Sequence, residues 1–165
     1  MNDIINAFNS LLKKINNDIP SGIYPDNEDL EGLNENEKYF FHFCDFGIID
    51  KVKKLHKKNI NVDIRFPKGY FKDSTPLMWS SSKGHYEVTK YLIDNGADIN
   101  ALHKVEKKTV LTMAIENCNS ELAKYLLHKG ADIKKPNKIK SSGLIYARKY
   151  ELNDIVDLLK AKGAK

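Results

Sequence analysis

The stretch Ser74-Thr75-Pro76-Leu77-Met78-Trp79, running on through Gly84-His85-Tyr86-Glu87-Val88 and Tyr91-Leu92-Ile93 to Gly96-Ala97-Asp98-Ile99-Asn100, decides how this chain folds. It recurs 34 residues downstream. Thr109 stands under Thr75, Leu111 under Leu77, Glu121 under Glu87 and Lys124-Tyr125-Leu126 under Lys90-Tyr91-Leu92, and Gly130-Ala131-Asp132-Ile133 falls under Gly96-Ala97-Asp98-Ile99. A further shift of 33 brings Leu144, Ala147, Asp154, Leu159 and Gly163-Ala164 into the frame. Upstream, Gly47, Asp50, Lys53, Leu55, Asn59 and Val62 fit it at an offset of 37. A period of about 20–50 residues marks units that bury their apolar faces only by stacking on one another.

The local chemistry of each unit predicts a helix pair. Thr75 and Thr109 can each accept a hydrogen bond from an N–H of the helix that follows, and Pro76 takes an early helical position where its missing N–H costs nothing. Glu87-Val88 and Tyr91-Leu92-Ile93 have helical spacing, with the acid in the first turn, where the helix dipole favours it. Gly96 and Gly130 then stand where a left-handed residue ends the second helix, and Asn59 takes that place upstream. Trp79, Met113 and Tyr146 share one register, which reads as core between stacked helices.

The run Thr75-Pro76-Leu77, then Gly84-His85-Tyr86-Glu87-Val88, then Gly96-Ala97-Asp98-Ile99-Asn100 resembles the ankyrin repeat, with its T-P-L-H-x-A, G-H-x-E-V and G-A-D-V-N segments. The resemblance covers about three-quarters of the chain. It implies an all-α fold: a solenoid of about four helix-turn-helix units with β-hairpin-like finger loops between them. The expected organisation is an N-terminal helix and acidic linker over 1–37 and a repeat domain over 38–165, with units at approximately 38–73, 74–107, 108–140 and 141–165. Ile4, Ile5, Phe8, Leu11, Leu12 and Ile15 form a helical stripe, read as a capping helix over 3–16 that covers the edge of the first unit. A membrane-surface or partner-binding helix is the rival reading, the membrane form weakened by a polar face whose only cations are Lys13 and Lys14. At the other end Lys160 replaces the apolar residues Ile93 and Leu127, as a polar terminal unit requires.

Charge divides the chain in the same place. Residues 1–37 carry a net −6 and residues 38–165 a net +11, giving +5 in all. The segment 17–37 reads as a solvated linker or, alternatively, as an acidic strap lying over the basic body. The basic side is nearly all lysine: 25 Lys against two Arg, Arg65 and Arg148. No apolar run approaches the roughly 18 residues of a membrane span, and the acidic start MNDIINAFNS is unlike a secretion signal. The expected setting is the cytoplasm, or a host cytosol if the protein is a delivered effector.

Little points to catalysis. The glycines are isolated, so no phosphate-cradling loop is indicated, and His42, His56, His85, His103 and His128 show no metal-ligand spacing. Cys44 and Cys118 read as buried small side chains, with no base nominated to activate either. The expectation is therefore no enzyme, no cofactor, no metal and no small-molecule substrate.

What remains is surface. In an ankyrin-like stack the resemblance implies fingers that project between units and first-helix faces that line a concave groove. The finger residues nominated for partner binding are Arg65, Phe66, Lys68, Tyr70, Phe71 and Lys72, then His103, Lys104 and Lys107, then Lys134, Lys135 and Lys138. The groove residues are Asp45, Phe46, Ser82, Lys83, Glu116, Asn117, Lys149 and Tyr150. Exposed aromatics beside cations are the side chains that make interface hot spots, although Phe66, Tyr70 and Phe71 can equally pack beneath their finger. This set predicts a module that binds an acidic protein surface, such as an immunity protein or antitoxin occluding a toxin. The alternatives are an effector or viral factor engaging host proteins and, less favoured, non-specific nucleic-acid binding. Lysine without arginine attracts phosphate but does not read bases.

Overall fold

The computed structural model describes residues 32–68, 72–134 and 143–164. The expected capping helix over 3–16 and most of the acidic linker lie outside these residues, as do Tyr70, Phe71, Lys135 and Lys138. Among the described residues the chain forms four helix pairs: α1 (Glu35–Asp45) with α2 (Ile49–His56), α3 (Pro76–Ser82) with α4 (Tyr86–Asp94), α5 (Val110–Glu116) with α6 (Ser120–His128), and α7 (Gly143–Lys149) with α8 (Asn153–Ala161). Among the described residues the extended pairing is a single antiparallel bridge, Leu102 with Thr109.

Three of the four pairs begin where their capping chemistry dictates. Thr75 Oγ1 accepts from the Met78 N–H at 3.3 Å, with Pro76 in the first helical turn. Thr109 Oγ1 accepts from the Thr112 N–H at 3.2 Å, while Thr112 Oγ1 accepts from the Thr109 N–H at 2.7 Å. The first pair uses Asn34 and Glu37 in the same reciprocal way, so α1 starts slightly upstream of the expected border at 38. Such caps are each worth about 1 kcal/mol. The second helices end as the sequence predicts, with Asn59 at φ 61° and Gly96 and Gly130 at φ 91°.

Helices touch chiefly within a pair or between neighbouring pairs, with the first helices α1, α3, α5 and α7 stacked most closely. One apolar core runs through all four pairs, from Phe40 and Val52 through Leu77, Leu92, Leu111 and Leu126 to Leu144 and Leu159, each almost wholly buried. Small buried side chains let helices approach: Ser80 donates to the Leu77 carbonyl at 3.2 Å and accepts from Thr89 Oγ1 at 3.0 Å. Lys160 is exposed on the last pair, as expected of a polar end.

The turn inside each pair carries a left-handed residue: Gly47, Gly84, Cys118 and Glu151, at φ 72°, 75°, 58° and 56°. At the first two a side chain from the next pair leans onto the glycine. A Cβ on Gly47 would sit 2.6 Å from His85 Nδ1, and one on Gly84 would sit 2.6 Å from Asn119 Oδ1. The leaning side chain then bonds to the preceding helix end: His85 Nε2 donates to the Asp45 carbonyl at 2.7 Å, and Asn119 Nδ2 to the Ser81 and Ser82 carbonyls at 3.0 and 2.9 Å. Cys118 corrects the sequence reading, which has it buried. It is exposed, because it fills the outward-facing turn position rather than a helix face; Cys44 is buried as expected.

A second ladder ties the finger bases together. The Asp98 N–H donates to the Asp63 carboxylate at 3.1 Å, and the Asp132 N–H to Asn100 Oδ1 at 2.8 Å.

Candidate functional site

The first helices present one face to the concavity, and spacing by four residues decides which side chains share it. Trp79 and Lys83, Met113 and Asn117, and Tyr146 and Tyr150 are i, i+4 pairs at the ends of α3, α5 and α7. Tyr146 is buried as the register predicts, but Trp79 and Met113 are only half-buried. They form part of the lining of an open cleft of about 510 Å³ between these helices and the second finger. The reading as core holds for Tyr146 and in part for Met113 and Trp79, which pack against the apolar clusters while also lining the cleft. The helices are seven residues long, and His103, Glu106 and Lys108 of the second finger line the same cleft.

The cleft gathers five of the eight expected groove residues: Ser82, Lys83, Glu116, Asn117 and Tyr150. Asn117 Nδ2 donates to Ser82 Oγ at 3.0 Å and to the Met113 carbonyl at 2.9 Å, which fixes its rotamer across two units. Lys83 lies over the Trp79 ring, 5.9 Å from its centroid, and Lys149 over Tyr150 at 5.0 Å. Asp45 and Phe46 are half-buried at the end of α1. Burial pushes the Asp45 carboxyl above its ordinary range, against the opposing pull of the Lys83 and His85 charges.

Two cleft residues escape sequence reasoning, Glu106 and Lys108. The Lys108 ammonium meets Glu116 at 2.8 Å and Glu106 at 3.0 Å. Partial burial lowers its pKa, but the hydrogen bonds to Glu116 and Glu106 outweigh it, and the pKa ends well above that of an ordinary lysine. Both carboxylates are thereby held by one cation of the chain itself, and the three groups together keep a single negative charge. A lysine two residues from one acid and eight from another carries no one-dimensional signature of such a pairing.

The fingers divide into residues that build the surface and residues that present it. Phe66 is buried, its ring centroid 4.1 Å from that of Phe41. Its backbone pairs with Ser74 and Asp73, which turns the side chain inward beneath the first finger. His103 is buried too, and its Nδ1 accepts from the Glu106 N–H at 3.1 Å, closing the second finger. Phe66 is thus turned beneath its finger, as the alternative reading of its aromatics has it, whereas His103, though buried, is part of the lining of the cleft. Arg65 is half-buried and occupied: its guanidinium donates to the Asp73 carbonyl at 2.7 Å, reaches the Leu102 carbonyl at 3.3 Å and pairs with the Asp73 carboxylate at 3.3 Å. Asp73 also pairs with Lys104 at 3.4 Å. Slight burial raises the Asp73 pKa, but the Lys104 N–H and the Arg65 and Lys104 charges bring it below the ordinary carboxylate range. Arg65 and Asp73 thus clasp two adjacent fingers together. Lys68, Lys72, Lys104, Lys107, Lys134 and Lys149 are exposed.

Among the described residues, no group of three or more His, Cys, Asp or Glu side chains could hold a metal ion, and no helix is long and apolar enough to cross a membrane. The chain matches the family described as ankyrin repeats, in three copies, over residues 5–137. It is similar to the ankyrin repeat protein L25 of Acanthamoeba polyphaga mimivirus, 59% identical over 27 residues, which are 16% of this chain and 8% of that protein. It is also similar to the mouse (Mus musculus) ankyrin repeat, SAM and basic leucine zipper domain-containing protein 1, 40% identical over 68 residues, or 41% of this chain and 13% of that protein. The chain therefore matches only a small part of the length of either relative.

Proposed function

The chain belongs to the ankyrin-repeat family, whose repeats generally serve as protein-binding modules, and from that premise we propose that it is a non-catalytic module gripping an acidic protein surface with its concave cleft and basic finger tips. The observation that carries this reading is the cleft itself, an open concavity with apolar side chains in its lining and exposed lysines around it. Fold alone is a weak warrant for function, so the weight rests on that juxtaposition. Charge complementarity at the tips would speed encounter and select among partners, while the half-buried apolar side chains would supply most of the affinity.

A toxin occluded by this surface, with the chain as its immunity protein or antitoxin in the cytoplasm, is one use that suits a small binding module. The product of the neighbouring gene is then the first partner to test. An effector or viral factor directed at host proteins is the alternative. Nucleic acid fits less well, because Arg65 is engaged by the chain itself and the exposed tip cations described above are lysines.

The test is charge reversal at exposed tips. A variant carrying Lys72→Glu, Lys107→Glu and Lys134→Glu should fold like the parent, since all three side chains are solvated. It should capture its partner at least tenfold more weakly in a pull-down read by mass spectrometry and titrated by calorimetry. Unchanged affinity would refute the basic-surface reading. Capture of nucleic acid alone, lost steeply as salt rises, would move the function to that class.

A further inference from the structure

We propose that the cleft between α3, α5, α7 and the second finger is an anchor pocket for one large apolar side chain, carried on an acidic segment of the partner whose carboxylates meet Lys83 and Lys149. This rests on the protein-binding reading above and adds what the partner must present.

Three observations lead to it. The cleft's volume of about 510 Å³ lies within the roughly 300–1,000 Å³ of ordinary ligand pockets, enough for a leucine, methionine or phenylalanine side chain to enter. Its lining includes buried Met78 and half-buried Trp79, Met113 and Tyr150, and the last three would lose remaining contact with water when an apolar group enters. Lys108 bridges Glu106 and Glu116 and offsets one of their two negative charges, and with Lys83 and Lys149 counted the cleft and its rim carry a net charge of +1.

Those lysines also cover the rings an anchor would use. Lys83 rests over Trp79 and Lys149 over Tyr150, each within cation–π range of its own neighbour. Both side chains are exposed and unbranched, so an incoming carboxylate can draw the ammonium off the ring while an apolar group takes the vacated face. The acidic flank and the apolar anchor therefore act together. Either one alone leaves a ring still capped or a lysine without its new partner.

Trp79 is the only tryptophan in the chain, so its fluorescence reports occupancy of the pocket directly. The probes are short synthetic peptides lacking Trp and Tyr: glutamate-flanked peptides with a central Leu, Met or Phe, the same peptide with a central Ser, and a lysine-flanked peptide with a central Leu. At least one glutamate-flanked apolar peptide should shift Trp79 emission to the blue, saturably, and bind at least fivefold more tightly than the Ser and lysine-flanked controls. The double variant Lys83→Glu, Lys149→Glu, with both changes at exposed positions, should weaken that peptide about fivefold while leaving the circular-dichroism spectrum unchanged. No saturable shift with any glutamate-flanked peptide overturns the pocket, as does equal binding of the Ser peptide. Equal binding of the lysine-flanked peptide overturns the charge pairing. If the tip reversals above still abolish partner capture, the fault lies with the pocket and not with the binding module; if they do not, the broader reading fails as well.

Discussion

The junctions on either side of α5 and α6 are built differently. Toward the N-terminus, Asn119 reaches back to two carbonyls at the end of α3 and packs on Gly84, as His85 reaches back to α1 and packs on Gly47. Toward the C-terminus the corresponding residue is Leu152, which packs into the apolar core and carries no side-chain donor. The turn it faces need not be glycine, and Cys118 stands there. Across this last junction Lys124 and Asp154 pair at 2.5 Å on an exposed surface. Glycine and the reaching polar side chain are thus one device split between neighbouring units, and where one half is absent the other is released.

Breaking the device at its tightest point should have the largest effect. Gly84→Val combines a β-branched side chain at positive φ with a Cβ driven against Asn119, and should lower stability by about 3 kcal/mol or more in denaturant unfolding. Adding Asn119→Ala should recover part of that loss, since the clash is with the side chain that has been removed. An additive result would mean that the two residues do not act as a unit.

Acid should separate the two ends of the stack almost as strongly. Burial drives the pKa of His42 on α1 down to about 4 from an ordinary 6.5, so the folded chain holds this imidazole neutral where the unfolded chain protonates it. Stability at this site is therefore complete above pH 6.5 and falls as the pH drops toward 4, by about 3 kcal/mol in full. Hydrogen exchange at pH 4.5 should show α1 and α2 losing protection before α7 and α8, and His42→Phe should abolish the difference.

Two smaller effects sharpen the contrast. Asn119→Ala alone removes two hydrogen bonds and should cost about 1–2 kcal/mol. Cys118→Gly should have the opposite sign, a gain of about 1 kcal/mol, because it relieves a left-handed backbone without exposing a clash. A loss on Cys118→Gly would show that the cysteine side chain makes contacts that matter more than its strained φ.

The repeat frame and its local chemistry were readable from residues alone: the Thr75 and Thr109 caps, Pro76, the left-handed Asn59, Gly96 and Gly130, and the groove register at Ser82, Lys83, Glu116, Asn117 and Tyr150. These depend on neighbours a few positions away or on the period itself. The rest depends on how a finger folds back. Phe66 and Lys72 both look like tip residues in one dimension, yet the pairing of Phe66 with Ser74 and Asp73 buries the first and leaves the second in water. Trp79 and Met113 likewise share a register with buried Tyr146, yet they are only half-buried and line the cleft.

The ladder at the finger bases bears on how the molecule is made. The Asp98 amide finds its acceptor 35 residues upstream and the Asp132 amide finds its own 32 upstream, so each acceptor has left the ribosome before its donor emerges. With helices meeting chiefly their immediate neighbours, a nascent chain can add one finished layer at a time, and synthesis and assembly can advance in the same direction.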